Sequence, residues 1–265
     1  MHLCESNAAR FTGFAPLYDE ARPAMPAAAT ALLIRYLGRA PETVVDLGCG
    51  TGLSSLAWRD RCRSLIGVDP SDDMLAVARQ RETAGVEFLQ AFADRTGLPD
   101  NTADIVVCSQ SFHWMEPHST LKEAARILRP GGVFAAVDCD WPPVCGWEAE
   151  AAYERLTAAV DERIAAEPSL EGGVRRWDKR RHLDNIRQSG RFRYARELVL
   201  LHREEGTADR VIALAMSQGG LQSVLKKDPA SLAAPLKDFE DSVRSCLGAG
   251  SFPLDFCYRV RLGVV

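Results

Sequence analysis

No apolar run approaches the roughly 20 residues that a helix needs to cross a bilayer, so no membrane span is expected. An excess of positive charge is also missing. Lys and Arg number 32 against 36 Asp and Glu, a net charge of −4, which gives no overall footprint for a nucleic-acid backbone. The eight cysteines show no C-x-x-C spacing, so a structural zinc site and a redox dithiol are not expected. A chain of 265 residues can bury a core without disulfide staples. The cysteines therefore read as reduced, mostly buried thiols of a cytoplasmic protein. Residues 1–10 are polar and lack the basic-then-apolar order of a signal peptide. Internal repeats and low-complexity stretches are absent too. What remains is ordinary globular usage, 46% hydrophobic and 26% charged.

Patterning divides the chain. Pro16, Pro23 and Pro26 interrupt residues 1–26, and Pro26 can open a helix running to about residue 37. Short apolar strands are predicted at 43–47, 64–68, 86–90, 103–109 and 133–138. Helices are predicted at 53–61, at 71–81 with Ser71 as cap, and at 119–128, where Arg129-Pro130-Gly131-Gly132 turns the chain. Apolar strands alternating with helices imply a mostly parallel sheet covered on both faces. Ligands in such sheets bind beyond the carboxyl ends of the strands, here 48–52, 69–74, 91–95, 109–115 and 138–147. Further on, helices are predicted at 149–166, 208–225 and 231–247, and strands at 192–201 and 255–264.

The most informative segment is Val44-Val45-Asp46-Leu47-Gly48-Cys49-Gly50-Thr51-Gly52. Glycines between strand and helix permit tight dihedrals and close ligand approach. The dinucleotide spacing G-x-G-x-x-G fails because position 53 is Leu, and a P-loop fails for want of Gly-Lys-Ser/Thr. Asp46 before the glycines suits a cationic or zwitterionic ligand better than a pyrophosphate. Asp69, closing the second strand, can accept both hydroxyls of a ribose. Together they indicate a nucleoside-containing cofactor.

These residues resemble the first two motifs of the class I S-adenosylmethionine-dependent methyltransferases: Asp46–Gly52, then Gly67-Val68-Asp69-Pro70-Ser71 with Met74-Leu75. Ala93-Asp94 before Leu98-Pro99-Asp100, Ala103-Asp104-Ile105-Val106, and Arg126–Phe134 resemble the later motifs in the same order. The resemblance covers residues 43–138 and is of the small-molecule type. It implies an α/β, Rossmann-like seven-stranded sheet ordered 3-2-1-4-5-7-6, strand 7 antiparallel, with helices on both faces and a helical lid. Residues 1–265 would form one domain: an N-terminal helical cap at 1–38, a cofactor-binding core at 43–138, a lid or substrate-binding insertion at 139–190, and strands and helices at 191–265.

For S-adenosylmethionine, the resemblance implies that Gly48, Cys49 and Gly50 pass under the methionine and ribose portions. Asp46 would face the methionyl ammonium and Asp69 the ribose hydroxyls. Pro70 and Met74 would flank the adenine, with Phe92, Ala93 and Asp94 at its edge. Relatives often place a polar side chain where this chain has Phe92. Ser109 and Gln110 would meet the methionyl part. Tyr18 and Arg22, four apart and so on one helical face, would fold over the cofactor, Arg22 on its carboxylate.

Methyl transfer from a sulfonium needs positioning and desolvation, no metal, and a base only if the acceptor must lose a proton. His113 is the candidate base. Trp114, Trp141, Trp147, Trp177 and His182 are the candidate acceptor-binding residues, which suggests a small apolar or aromatic acceptor. The basic run 175–181 reads as a solvated helix face, with recognition of a carboxylate or phosphate, or of nucleic acid, as alternatives. A methyltransferase acting on protein or RNA, and an inactive cofactor-binding protein, are the competing functions. Nucleic acid is disfavoured as a partner, and the oligomeric state is not legible.

Overall fold

The computed structural model describes Asp19, residues 21–172 and residues 174–265. Its strands are β1 (Thr43–Leu47), β2 (Ser64–Asp69), β3 (Val86–Gln90), β4 (Ala103–Ser109), β5 (Leu128–Cys139), β6 (Tyr194–Gly206) and β7 (Phe252–Val264). They form one seven-stranded sheet in the order β3-β2-β1-β4-β5-β7-β6. The first five pair in parallel, whereas β7 runs antiparallel to β5 and to β6. This is the implied topology, strand for strand.

The helices are α1 (Ala27–Leu37), α2 (Asp72–Ala78), α3 (Pro117–Ile127), α4 (Trp147–Ala166), α5 (His182–Gln188), α6 (Ala208–Met216), α7 (Gly219–Lys227) and α8 (Ala233–Leu247). Alternation along the central strands separates two cores. Val44, Ile105, Val107, Val133 and Val137 face one layer, while Val45, Leu47, Val106, Cys108 and Phe134 face the other. Both faces are dry, so the strands read as continuous apolar runs.

Asp104 clamps the edge of this sheet opposite the site. It is fully buried and accepts the backbone N–H groups of Glu42 at 2.7 Å and Thr43 at 3.0 Å, with Arg39 and Arg129 on its oxygens. Burial alone would raise its carboxyl, but these partners, Arg39 foremost, hold it at about 2. Arg129 also explains why β5 starts five residues before the expected strand. The predicted turn at 129–132 is extended here, with its irregularity absorbed by a register shift opposite Ala103 and Ile105.

Other boundaries move for local reasons. The helix expected at 53–61 is only a 3₁₀ turn at Ser55–Trp58, because Ser55 Oγ is committed to Asp46 at 2.6 Å. The helix expected at 208–225 breaks at Ser217 and Gln218, whose carbonyl and side-chain oxygens both accept from Arg22 at 3.1 Å. The basic run is not a helix face. It is irregular up to Asp178, which caps a 3₁₀ turn at Lys179–Arg181. The described cysteines are less buried than expected: Cys49, Cys108 and Cys139 are buried, Cys62, Cys145 and Cys257 half-buried, and Cys246 exposed, while Cys4 lies outside the described residues. No helix of the described residues is long and apolar enough to cross a membrane.

Candidate active site

Strand order reverses between β1 and β4, and a crevice opens there at the carboxyl ends of the strands. The turn after β1 forms its floor. Gly48 and Gly50 hold φ of +68° and +56°, the left-handed region that a side chain disfavours. The N–H groups of Gly48 and Cys49 donate to Val68 O at 2.7 and 3.1 Å, which ties the turn to β2. Asp69, at the end of β2, accepts from the N–H of Gly50 and of Ser71, both at 2.9 Å. Ser71 also caps α2 through Met74 N–H.

The crevice contains two adjoining cavities. The first is lined by Gly48, Cys49, Gly50, Asp69, Pro70, Met74, Phe92, Ala93, Asp94, Ser109 and Gln110. All of these are expected cofactor residues, brought together from four strand ends. The second cavity, about 700 Å³, is lined by His113, Trp114, Trp141, Tyr153, Trp177 and Lys179 among others. Arg22, Gln110, Trp114 and Trp141 line both, so they form the seam.

Several expected residues stand elsewhere. Asp46 lines neither cavity: it is buried beneath the glycine turn, its Oδ2 on Ser55 and its Oδ1 without a partner. Arg22 lines both cavities with its guanidinium 4.8 Å from the Trp141 ring centroid, and it also donates into the α6–α7 break. Tyr18 lies outside the described residues. Trp147 is 77% exposed at the start of α4 and lines neither cavity. Trp147→Ala is expected to change stability by less than about 0.5 kcal/mol and to leave ligand binding as it was; a clear loss in a melting or titration experiment would return it to the site. His182 is wholly buried against Phe112, ring centroids 4.7 Å apart, and also lines neither cavity.

Residues that the sequence reading passed over complete the site. Asp138 ends β5 beneath the second cavity. Lys179 Nζ lies 3.0 Å from its Oδ1 and Arg261 Nη1 3.1 Å from its Oδ2, with His113 Nδ1 and His182 Nε2 each 3.7 Å away. Burial alone would raise the Asp138 carboxyl, but His113 and Lys179 hold it far below the usual range. Burial pushes His113 down to about 3 and His182 to about 4, so both imidazoles are neutral at pH 7. The ligand atoms of His113, Asp138 and His182 lie within 4.8 Å of one another. Two cations already occupy the carboxylate, so the cluster suits a screened anion better than a metal ion. The signal for Asp138 was its place at a strand end; Lys179 was hidden among six other residues of a charged run.

Burial raises the Asp46 carboxyl to about 7, against the pull of Ser55 and with the help of Asp69. Such a group holds its proton more tightly folded than unfolded. Its contribution to stability is fully present below about pH 4 and is lost as pH rises to 7. Asp69, raised by burial to about 6, has the same sign. Asp46→Asn keeps an oxygen for Ser55 and is expected to flatten the fall of Tm between pH 4 and 7, leaving the smaller slope of Asp69. An unchanged profile would show that Asp46 titrates normally.

Comparison with known proteins bears on the segment that carries the glycine turn. A methyltransferase domain family matches residues 45–136, the segment that builds the first cavity. The chain thus carries a methyltransferase domain at residues 45–136. A methyltransferase of Mycobacterium tuberculosis, itself uncharacterized, is 35% identical over 133 residues, 50% of this chain and 53% of that protein. The trans-aconitate 2-methyltransferase of an Acidovorax species is 40% identical over 121 residues, 44% of each chain. The chain thus spans about half the length of the curated relatives it matches. A solved structure from Anaeromyxobacter dehalogenans, provisionally assigned as a type II methyltransferase, superposes with a TM-score of 0.69 at 24% identity, covering 92% of this chain and 97% of that one. This likeness extends the shared fold over β6 and β7, beyond the matched family segment.

The residues present fit the cofactor of this methyltransferase family on two independent counts. A Cβ at Gly50 would meet nothing within 4 Å, so the backbone borders open space where a ligand can pass closely. Asp94 Oδ1, in the wall of the first cavity, is buried without a partner and can accept from an amine.

Proposed function

We propose that this chain is an enzyme that transfers a methyl group from S-adenosylmethionine to a small acceptor held in the second cavity. The observation that carries this reading is the junction of the two cavities at Arg22, Gln110, Trp114 and Trp141. S-adenosylmethionine supplies an electrophilic methyl group on a sulfonium. Asp69 takes the ribose hydroxyls, Pro70 and Met74 flank the adenine, and Asp94 supplies the polar contact at its edge that Phe92 cannot. Gln110, held at a φ of +54°, turns its side chain into the seam and orders the methionyl end. Arg22 contributes to the same end.

Aromatic walls favour an acceptor with an apolar body. Trp141 stacks on Tyr153 with ring centroids 6.5 Å apart, and Trp177 lines the same cavity, its backbone N–H donating to His113 O at 2.9 Å. Asp46 acts from below the turn, through the field of its carboxylate. Water is excluded by α4, whose Tyr153, Leu156 and Val160 face the cavity. The trans-aconitate relative, by its name, acts on a small molecule, which supports the same scale of acceptor.

Calorimetric titration with S-adenosylhomocysteine tests the cofactor half. Micromolar or tighter binding is expected for the wild-type chain. The acceptor half is tested with Trp141→Ala, which should retain the cofactor affinity within about threefold while turnover of any accepted substrate falls at least tenfold. No binding of S-adenosylhomocysteine at all would overturn the proposal.

A further inference from the structure

We infer that the acceptor is a carboxylic acid whose carboxylate is anchored by Lys179 at the seam of the two cavities. This rests on the methyltransferase reading above and deepens it. Lys179 is the first residue of the 3₁₀ turn Lys179–Arg181, and its ammonium lies 3.0 Å from Asp138 Oδ1 and 3.3 Å from Gln110 Oε1. Gln110 borders both cavities, so the ammonium stands beside the place where they meet. An ammonium has three N–H donors. One donates to Gln110 Oε1, Asp138 pairs with the ammonium by charge, and donor capacity remains for the second cavity, which Lys179 lines with its side chain one-third exposed.

The charge at this point is not cancelled by Asp138 alone. That carboxylate is shared with Arg261, which also bonds Glu197 Oε2 at 2.7 Å. The network is polarised, its central carboxylate Asp138 buried and its ammonium at the cavity wall. Other basic residues of the run are held on surface carboxylates: Arg176 on Glu171 at 2.7 Å and Arg180 on Asp178 at 2.9 Å. Arg176 and Arg180 also border the second cavity, but Lys179 is the member of the run that reaches Gln110, where the two cavities meet. A single ammonium matches the single charge of a carboxylate, whereas a phosphate would call for a fork or several cations.

The neighbouring imidazole supports the same class of acceptor. His113 lines the cavity, but burial and Lys179 keep it a weak base, and its Nδ1 is 3.7 Å from Asp138. An acceptor that had to lose a proton would find poor help here. A carboxylate has already lost it. Its oxygen forms the new bond to the methyl carbon as the carbon–sulfur bond breaks, the electron pair leaves on sulfur, and no proton is released. His113 is then a wall residue and Lys179 a specificity-determining one. Trp114, Trp141 and Trp177 take the apolar body of the acid.

The test is calorimetric titration of the chain saturated with S-adenosylhomocysteine, using 3-phenylpropionate and trans-cinnamate against their primary amides. The acids are expected to bind at least tenfold more tightly than the amides. Lys179→Met should erase that preference, Lys179→Arg should restore part of it, and Arg181→Gln, at a residue that lines neither cavity, should leave it within twofold. Equal binding of acids and amides to the wild-type chain, no binding of either acid, or a preference that survives in Lys179→Met would overturn the assignment. The wild-type comparison stands even if Lys179→Met fails to fold. Binding of S-adenosylhomocysteine, measured first in the same samples, separates the outcomes: its absence overturns the methyltransferase reading, whereas its presence without an acid preference overturns Lys179 alone.

Discussion

Asp69→Ala is expected to weaken S-adenosylhomocysteine binding by tenfold or more while the protein stays folded. The carboxylate stands where the turn after β1 meets the end of β2. It already accepts the N–H groups of Gly50 and Ser71 at 2.9 Å and lines the first cavity. Each oxygen keeps a further lone pair for a ribose hydroxyl. A hydrogen bond to a charged group is worth about 1.5–3 kcal/mol, and about 1.4 kcal/mol is tenfold in affinity. The alanine also frees the Gly50 N–H, so the turn loosens and the loss exceeds that of one bond. Asp69→Asn retains the shape and one acceptor, and should fall between wild type and alanine. Calorimetry gives the affinities and a melting curve reports the fold; a folded alanine variant with unchanged affinity would remove the ribose role.

Gly48→Ala should act on the fold itself. A Cβ there would stand 2.6 Å from Ser111 Cβ and 2.6 Å from Met115 Cε, on a backbone at φ +68°. The methionine end can swing away. Ser111 cannot, because its hydroxyl donates to Leu47 O at 2.7 Å. Overpacking costs about 1–3 kcal/mol and a left-handed alanine roughly 1–2 kcal/mol. We expect a Tm lower by about 5–15 °C and no measurable cofactor binding. Gly50→Ala provides the contrast: its Cβ enters open space at φ +56°, so it carries the left-handed cost without the overpacking, and its Tm should fall less than that of Gly48→Ala while binding is still lost. Equal melting temperatures for wild type and Gly48→Ala would show that Ser111 yields.

The wall of the second cavity was only partly legible in sequence. Trp114, Trp141 and Trp177 line the second cavity, but Trp147 and His182 do not. Nothing in composition separates Trp141 from Trp147, six residues on. The loop between them ends where Val144 pairs with Asp255 through N–H···O bonds of 2.8 and 3.1 Å, which turns Trp147 outward at the start of α4. His182 begins α5, and packing against Phe112 draws it under the floor. Such outcomes follow from contacts between segments distant in the chain, which no local pattern encodes.

Local chemistry was enough for the cofactor half. Asp46 to Gly52, Asp69 to Met74 and Ala93-Asp94 each sit at a strand end, and alternation of apolar runs with helices places strand ends on one side of a parallel sheet. The sequence by itself therefore determined the fold class, the glycine turn and the strand-end residues that line the first cavity, because each depends on residues within one βα unit. Only the tertiary structure decided that Asp46 lies beneath the turn, that Arg22 both borders the crevice and reaches the α6–α7 break, and that Lys179, Asp138, His113 and Arg261 form one network. Those four residues come from a 3₁₀ turn, β5, the segment after β4, and β7. They meet because β7 inserts antiparallel beside β5, bringing Arg261 to Asp138 and burying the carboxylate that holds Lys179 at the cavity wall.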